Sequence, residues 1–167
     1  IRDSESFACT LAAEIIKVYA SSEAEYEEII FSHLNGTHFT FDSLLYASTG
    51  RIASLNWEIA PEDLTALFSL PYILSTEKNI PLYIIIENFH NVLEFEEPTR
   101  FLKLMESSIR VNASCAYIFA GSSVNAMKFI FDEQNYFYRK AEHLPLQKID
   151  TQDIVAHIDR GLSTGGK

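Results

Sequence analysis

Two apolar runs of this sequence end abruptly in residues that could do chemistry. The first run, 80–91 (IPLYIIIENFHN), turns polar at Glu87 and Asn88, and the second, 113–120 (ASCAYIFA), is followed by Gly121 and Ser122. Short continuous apolar runs are typical of strands that are buried on both faces of a parallel sheet. Ligands of open α/β sheets bind beyond the carboxyl ends of such strands. These residues are therefore candidates for a site, and the alternative interpretation is that Glu87 and Asn88 simply begin a solvated loop.

The chemistry that fits these residue types is the handling of a phosphate group. A carboxylate such as that of Glu87 can hold Mg²⁺, usually through water, and the Ser122 hydroxyl on a neighbouring strand can position a phosphate or a water. Together they would form the lower half of a nucleoside triphosphatase site. The upper half would be a glycine-rich phosphate loop that lies between a strand and a helix.

One segment matches that loop formally but lacks its context. The sequence GLSTGGK at 161–167 satisfies G-x-x-x-x-G-K. A helix is predicted before it, however, and no Ser or Thr follows the Lys, so we interpret it as a glycine-rich helix terminus.

A second chemical alternative is a hydrolase. Ser122 or Ser123 would act with His90 and Glu87, but the sequence lacks G-x-S-x-G, and Ser after Gly is common in turns.

Composition narrows the class of protein. The 167 residues are 47% hydrophobic and 22% charged, which suits a single domain over 1–167 with its own core. The net charge of −10, with only 13 scattered basic residues, disfavours direct binding of nucleic acid by this segment. No apolar run approaches the about 20 residues of a membrane span. Cys9 and Cys115 fit buried thiols in a reducing compartment, so we expect a cytoplasmic protein.

Periodicity predicts most of the elements. Helices are expected at about 4–19, from the capping box Ser22–Glu25, from Asp42 or Ser43 through Leu55, from Pro61 with a kink or restart at Pro71, from Pro98, over Val124–Phe131 and after Asp150. The segment 37–41 is ambiguous and is interpreted as a loop. Strand, helix and strand over 82–120 form one right-handed parallel βαβ unit. A short third strand is expected at 144–146.

Several of these segments, in this order, resemble a known family. The segment 67–92 (LFSLPYILSTEKNIPLYIIIENFHNV) is similar to the Walker B region of bacterial and archaeal ATPases related to AAA+ and STAND proteins. The segment 116–131 (AYIFAGSSVNAMKFIF) resembles their sensor strand and helix, and 144–158 (LPLQKIDTQDIVAHI) resembles the last strand and helix of the nucleotide-binding core. The resemblance spans roughly 63–167. It implies a three-layer α/β/α fold with a mainly parallel sheet, here incomplete.

The resemblance also implies roles for individual residues. Glu87 falls on the metal-holding Asp, Asn88 on the catalytic Glu, and His90 on the usual Gln. Ser122 falls on the sensor position. The pair Phe137 and Tyr138 matches a Phe-Tyr pair of the family, and Arg139 is a candidate for a phosphate or inter-domain contact. The cofactors implied for a full-length parent are ATP and Mg²⁺.

The departures from the family pattern limit the expected activity. Glu87 is one methylene longer than Asp, and the Asn88 amide cannot take the proton that a catalytic carboxylate takes from the attacking water. The chain begins at Ile1, and we interpret it as a fragment whose Walker A loop would lie upstream. We expect the fragment alone to bind no cofactor, and the parent to be a nucleotide-dependent switch with weak or no hydrolysis.

Three functions therefore stay open from the sequence: a pseudo-ATPase switch, an active ATPase completed by sequence elsewhere, and a non-enzymatic interaction module that retains the fold. Without the Walker A strand, 117–120 would be an exposed apolar edge. Such edges recruit another strand or chain. We therefore expect a protein partner or self-association through this sheet edge.

Overall fold

The computed structural model describes residues 3–132, 136–144, 146 and 150–165, which form a mixed α/β arrangement rich in helices. Seven helices, four strands and one 3₁₀ helix lie in this described part of the chain. In chain order they are α1 (Ser4–Tyr19), α2 (Glu23–His33), β1 (Phe39–Thr40), α3 (Ser43–Thr49), β2 (Ser54–Leu55), α4 (Pro61–Lys78), β3 (Leu82–Ile86), the 3₁₀ helix (Phe89–Glu94), α5 (Pro98–Ser108), β4 (Cys115–Phe119), α6 (Val124–Phe131) and α7 (Thr151–Gly165).

The first two helices begin at side chains that cap them. Asp3 caps α1, because its carboxylate accepts hydrogen bonds from the backbone N–H and the hydroxyl of Ser6. The predicted capping box is confirmed at α2, where the Ser22 hydroxyl accepts from the Glu25 N–H and the Glu25 carboxylate accepts from the Ser22 N–H. Each cap satisfies N–H groups that a helix end leaves without a partner.

The segment between α2 and α4 differs from its prediction. The helix capped by Asp42 ends at Thr49, because Gly50 adopts the left-handed conformation at φ 72°. The predicted continuation through Leu55 is wrong, since Ser54–Leu55 forms β2 instead. β2 pairs antiparallel with β1 at Phe39–Thr40, so the ambiguous segment 37–41, for which a loop is predicted, contains a short strand. Strands of two residues carry too little alternation to be visible in a sequence.

Helix α4 runs without interruption from Pro61 to Lys78. Pro61 occupies the first turn, where its missing N–H costs nothing. The predicted restart at Pro71 does not occur, and Pro71 is buried inside the helix. α4 packs against α1 and α5 on one side of the strands.

The central pairing is parallel, as predicted. β3 and β4 are in register over their full lengths, from Leu82 opposite Cys115 to Ile86 opposite Phe119, and α5 lies between them in the chain. This confirms the strand, helix and strand order of the predicted unit. Burial on both faces is wrong for the described chain, because β3 alternates between buried and exposed positions.

The core lies between the helices and the covered face of this sheet. Phe7, Phe68, Phe95 and Phe101 meet edge to face there, with ring centroids between 5.1 and 6.2 Å apart. Edge-to-face contacts of aromatic rings add to the stabilisation that comes from burying their area. The Tyr117 side chain links β4 to α4, because its hydroxyl donates to the Phe68 carbonyl oxygen at 3.2 Å.

The last predicted helix is confirmed as α7. Asp150 caps α7, because its carboxylate accepts from the Gln152 N–H at 2.8 Å. The predicted third strand at 144–146 is not formed at Leu144 or Leu146, which are exposed and lie outside any strand, and position 145 is outside the described residues. Residues 161–165 belong to α7, so this part of the G-x-x-x-x-G-K match is helical rather than a phosphate loop.

Candidate functional site

The ends of β3 and β4 lie side by side, which places the predicted site residues at one edge of the sheet. The Ala120 N–H donates to the Ile86 carbonyl at 2.9 Å, and the Phe89 N–H donates to the Ala120 carbonyl at 2.9 Å. These two bonds continue the parallel ladder past both strands. Glu87 and Asn88 therefore leave β3 next to the point where Gly121 and Ser122 leave β4. All four residues are exposed to solvent.

Asn88 makes the turn that ends β3. Its backbone is left-handed, with φ 52° and ψ 38°, and its carbonyl accepts from the Asn91 N–H at 2.9 Å to start the 3₁₀ helix. Asn is one of the few residues other than Gly that adopt this conformation readily. The backbone therefore explains why Asn occupies this position, independently of any catalytic role.

Gly121 allows two side chains to pack closely at the same edge. A Cβ atom at this position would lie 2.6 Å from Met127 Sδ and 3.0 Å from His90 Nδ1. His90 Nδ1 is buried and has no hydrogen-bond partner among the described residues. The sequence resemblance gives His90 a position in a motif but no contact, whereas the structure places His90 beside Gly121, just after β4. The glycine at position 121 is the feature of the sequence that could have indicated this close packing.

The hydrolase arrangement is not assembled. In the described part of the chain, no hydrogen bond joins His90 to Ser122 or Ser123, and Ser123 uses its carbonyl to begin α6 by accepting from the Met127 N–H at 3.0 Å. A serine nucleophile requires a base within hydrogen-bond reach.

Beneath the strand ends lies a layer of aromatic rings, which we call the aromatic cluster: Phe89, Phe119, Phe131 and Phe137. Each ring centroid lies within 6.4 Å of every other, and the shortest separation, 4.5 Å, is between Phe89 and Phe119. The cluster joins the 3₁₀ helix, β4, α6 and the segment after α6. It thereby fixes the two strand ends relative to each other.

Arg139 is linked to the strand ends only through its neighbours in the sequence. Phe137, two residues before it, belongs to the aromatic cluster, and Lys140, one residue after it, forms an ion pair with Glu106 of α5 at 2.8 Å. The Arg139 guanidinium lies 5.0 Å from the centre of the Tyr138 ring. Among the described residues no ion pair joins Arg139 to Glu87, so the structure does not bring these two predicted residues together.

The residues at the strand ends form an open edge rather than a lined cavity. One open depression of about 590 Å³ lies around the first turns of α5, and a smaller one of about 130 Å³ lies between α1, α2 and the end of α4. Neither is lined by Glu87, Asn88 or Ser122.

The donor set for a metal ion is small. The described residues include no group of three His, Cys, Asp or Glu side chains that could hold a metal ion. Of the four described residues at the strand ends, Glu87 alone carries a carboxylate. Mg²⁺ is commonly held by one or two carboxylates together with waters and substrate phosphates. One carboxylate does not make a site for a metal ion held by protein alone, and a metal ion here would need further ligands from waters or a phosphate.

Comparisons with known proteins do not extend this description. A scan against models of protein families, a search of curated proteins and a search of solved structures each gave no match to the chain. None of the helices among the described residues combines the length and the apolar content that a membrane span requires.

Proposed function

We propose that this chain is part of a P-loop ATPase-like core of the AAA+ and STAND type, with a degenerate site, and that it works as a nucleotide-dependent switch with weak or no hydrolysis. The observation that carries the proposal is the in-register parallel pairing of β3 and β4. That pairing sets Glu87 and Asn88 beside Gly121 and Ser122. In the family that the sequence resembles, the Walker B and sensor residues follow two such strands. A three-layer fold completed by further strands belongs to the same proposal.

Each residue of the edge has a defined part in the proposed switch. Glu87 would hold Mg²⁺ through water, and Ser122 would contact a phosphate oxygen of ATP. Arg139 would contact the phosphates only after its guanidinium leaves the Tyr138 ring, over which it now lies. Asn88 can orient a water through its amide but cannot accept the proton of that water. The proposed site therefore favours binding over turnover.

The experiment is binding and turnover of ATP with Mg²⁺ by the full-length gene product, with Asn88→Glu and Glu87→Gln as variants. We expect the wild type to bind without turnover, Asn88→Glu to gain turnover, and Glu87→Gln to weaken the dependence of binding on Mg²⁺. Binding by neither wild type nor Asn88→Glu, with both proteins folded, would contradict the proposal. Turnover by the wild type would instead favour an active ATPase whose catalytic carboxylate comes from elsewhere in the sequence.

A second candidate is a protein-interaction module without nucleotide chemistry. The observation that favours it is the exposure of apolar side chains on one face of the β3–β4 pair, together with the free outer edges of this two-stranded sheet in the described chain. A two-stranded sheet is marginal on its own, and free edges accept further strands. A cysteine introduced on β4 at Ile118, an exposed position of that face, would test whether the face is covered. Slow labelling of that thiol in the assembled protein would favour a covered face, and rapid labelling would argue against it.

A further inference from the structure

A short segment that follows α6, residues 136–140, has a strained backbone. Phe137 and Arg139 both adopt the left-handed conformation, with φ 48° and φ 59°. This conformation is uncommon for residues other than Gly, Asn and Asp, and for a bulky residue such as Phe it is a clear outlier. A strained backbone persists only where the surrounding structure holds it, and such strain is concentrated at functional sites and in segments that switch. We call residues 136–140 the strap.

Two side-chain contacts hold the strap against α5. Near the start of the strap, the Tyr136 hydroxyl donates to Thr99 Oγ1 at 3.1 Å, in the first turn of the helix. At its end, Lys140 Nζ forms an ion pair with Glu106 Oε1 at 2.8 Å, in the last turn. Thr99 and Glu106 are separated by about 10 Å along the helix axis. The strap therefore follows α5 from its first turn to its last.

The middle of the strap reaches the strand ends. The Phe137 ring is buried in the aromatic cluster, and its centroid lies 6.4 Å from that of Phe89 and 5.5 Å from that of Phe119. Phe119 is the last residue of β4, and Phe89 follows Asn88 in the turn after β3. The Phe89 N–H also donates to the Ala120 carbonyl, in one of the two hydrogen bonds that join the strand ends. The strap thus packs directly against the residues that form this edge.

We propose that the strap is a conformational latch with two states, and that its state sets the order of the strand ends. In the seated state, which the structure shows, Phe137 packs against both Phe89 and Phe119. In the released state, Phe137 leaves the aromatic cluster, the backbone of the strap relaxes, and the hydrogen bonds at the strand ends open more often. Backbone strain favours release, whereas the burial of Phe137 and the two contacts with α5 oppose it. The latch goes beyond the proposed function, since it requires no nucleotide.

The contact between Lys140 and Glu106 is the one at which the balance can be shifted gently. The two side chains are 56% and 24% exposed, and ion pairs of this kind contribute only modestly to stability. Removing this ion pair is therefore expected to change the ratio of released to seated strap by a small factor, without unfolding the chain.

Trypsin measures the released state, because it cleaves after Lys and Arg and the strap contains both Arg139 and Lys140. Cleavage inside a folded segment requires that segment to open locally. When opening and closing are fast, the rate of cleavage follows the population of the open state.

Amide hydrogen exchange measures the order of the strand ends. The N–H groups of Phe89 and Ala120 make the two hydrogen bonds that join these ends, and we call them the edge amides. The Leu82 N–H is the internal reference, because it donates to the Ser114 carbonyl at 2.7 Å at the opposite end of the same strand pair.

The variants are Glu106→Gln and Thr99→Val, each of which removes one of the two contacts between the strap and α5. The matched control is Glu97→Gln. Glu97 pairs with Arg100 at 2.7 Å at the start of the same helix, so the control also loses one ion pair, but its partner is not in the strap. We expect Glu106→Gln to raise both cleavage of the strap and exchange of the edge amides by about 2- to 5-fold. Thr99→Val should act in the same direction, and Glu97→Gln should change neither rate.

The two measurements together distinguish a latch from a general loss of stability. The proposal requires faster cleavage of the strap to be accompanied by faster exchange of the edge amides, with exchange at Leu82 unchanged. Unchanged cleavage in both variants, or faster cleavage with unchanged edge amides, would overturn it. Equal acceleration of all three amides would show that the whole fold is destabilised, and this too would overturn it. Because neither measurement uses nucleotide, failure of the latch is distinguishable from failure of ATP binding.

Discussion

His38 Nδ1 lies 3.0 Å from Asp63 Oδ2, and this carboxylate is buried between β1 and the start of α4. Because an ionised carboxylate only accepts hydrogen bonds, Nδ1 carries the proton. Asp63 also accepts from the backbone N–H groups of His38 at 2.8 Å and Ala60 at 2.7 Å. Burial by itself raises the pKa of Asp63, but these hydrogen bonds outweigh it and hold the pKa below its ordinary value.

Replacing Asp63 is expected to destabilise the protein at neutral pH. Asp63→Asn leaves buried donors facing an amide, and hydrogen bonds to a charged group contribute about 1.5–3 kcal/mol each. We expect a loss of about 3 kcal/mol in the free energy of unfolding, measured with urea at pH 7. The matched control is Asp132→Asn. Asp132 pairs with His143 at 2.9 Å, but both side chains are 40% or more exposed, so the expected loss is under about 1 kcal/mol.

The same carboxylate predicts how stability depends on acid. Since the pKa of Asp63 is lower in the folded protein, its contribution is fully present above its unfolded pKa of about 4 and is lost as the pH falls through the folded value. The difference in unfolding free energy between wild type and Asp63→Asn should therefore shrink below about pH 4. A difference that stays constant from pH 7 to pH 3 would contradict the assigned ionisation.

Asp63 predicts a loss of stability in acid, and the buried Tyr117 predicts a loss of stability in alkali. Burial raises the pKa of Tyr117 well above its ordinary value, and its hydroxyl donates to the Phe68 carbonyl. The raised pKa stabilises the folded state below the unfolded pKa of about 10, and this contribution is lost as the pH rises above it. Tyr117→Phe should cost about 1 kcal/mol at pH 8 and should flatten the loss of stability above about pH 10. Tyr83→Phe is the control, since Tyr83 is largely exposed, and it should change neither quantity.

Local signals in the sequence predicted much of this fold, and the exceptions have physical causes. The capping box at Ser22 and the prolines at 61 and 98 act within one helical turn, so α2, α4 and α5 begin where expected. The extent of α3 was missed because Gly50 ends it in a left-handed conformation, although periodic apolar residues continue to Leu55. The burial of β3 was overestimated because its sequence is apolar on both faces, and a sequence does not reveal what covers each face.

The candidate site was predictable in position but not in detail. The ends of two apolar runs indicated Glu87, Asn88, Gly121 and Ser122, and the parallel register places them at one edge. The close packing of His90 and Met127 against Gly121 depends on how the 3₁₀ helix and α6 meet, which no local pattern encodes. The sequence offers two interpretations of Asn88, a lost catalytic carboxylate or the start of a solvated loop, and the structure adds a backbone reason for its presence.

A residue larger than Gly at position 121 is expected to displace the Met127 side chain. In Gly121→Ala the new Cβ would lie 2.6 Å from Met127 Sδ and 2.9 Å from Met127 Cγ, so the side chain of Met127 has to move. Such overpacking costs about 1–3 kcal/mol. In Gly121→Ala with Met127→Ala, the total loss should be smaller than the sum of the two single losses, because the second change removes the clash. Additive losses in urea unfolding would place the strain elsewhere. Gly161→Ala is the control, since its Cβ meets no atom within 4 Å.

Substitutions at Asn88, whose backbone is left-handed, can distinguish a structural role of this residue from a catalytic one. Asn88→Gly should leave the free energy of unfolding unchanged or raise it slightly, because Gly adopts the left-handed conformation without a steric cost. Asn88→Ala should lower it by about 1 kcal/mol, because the Ala Cβ disfavours this conformation and Ala lacks the polar side chain that lets Asn adopt it. Asn79, which ends α4 at φ 54°, is the matched position, and Asn79→Gly and Asn79→Ala should behave in the same way. If Asn88→Ala costs nothing while Asn79→Ala does, the turn at 88 does not require Asn. The stability loss of Asn88→Ala also serves as a reference for Asn88→Glu in the nucleotide experiment. If Asn88→Glu is folded, loses about the same stability and still shows no turnover, the missing catalytic carboxylate is not the only reason for the lack of hydrolysis.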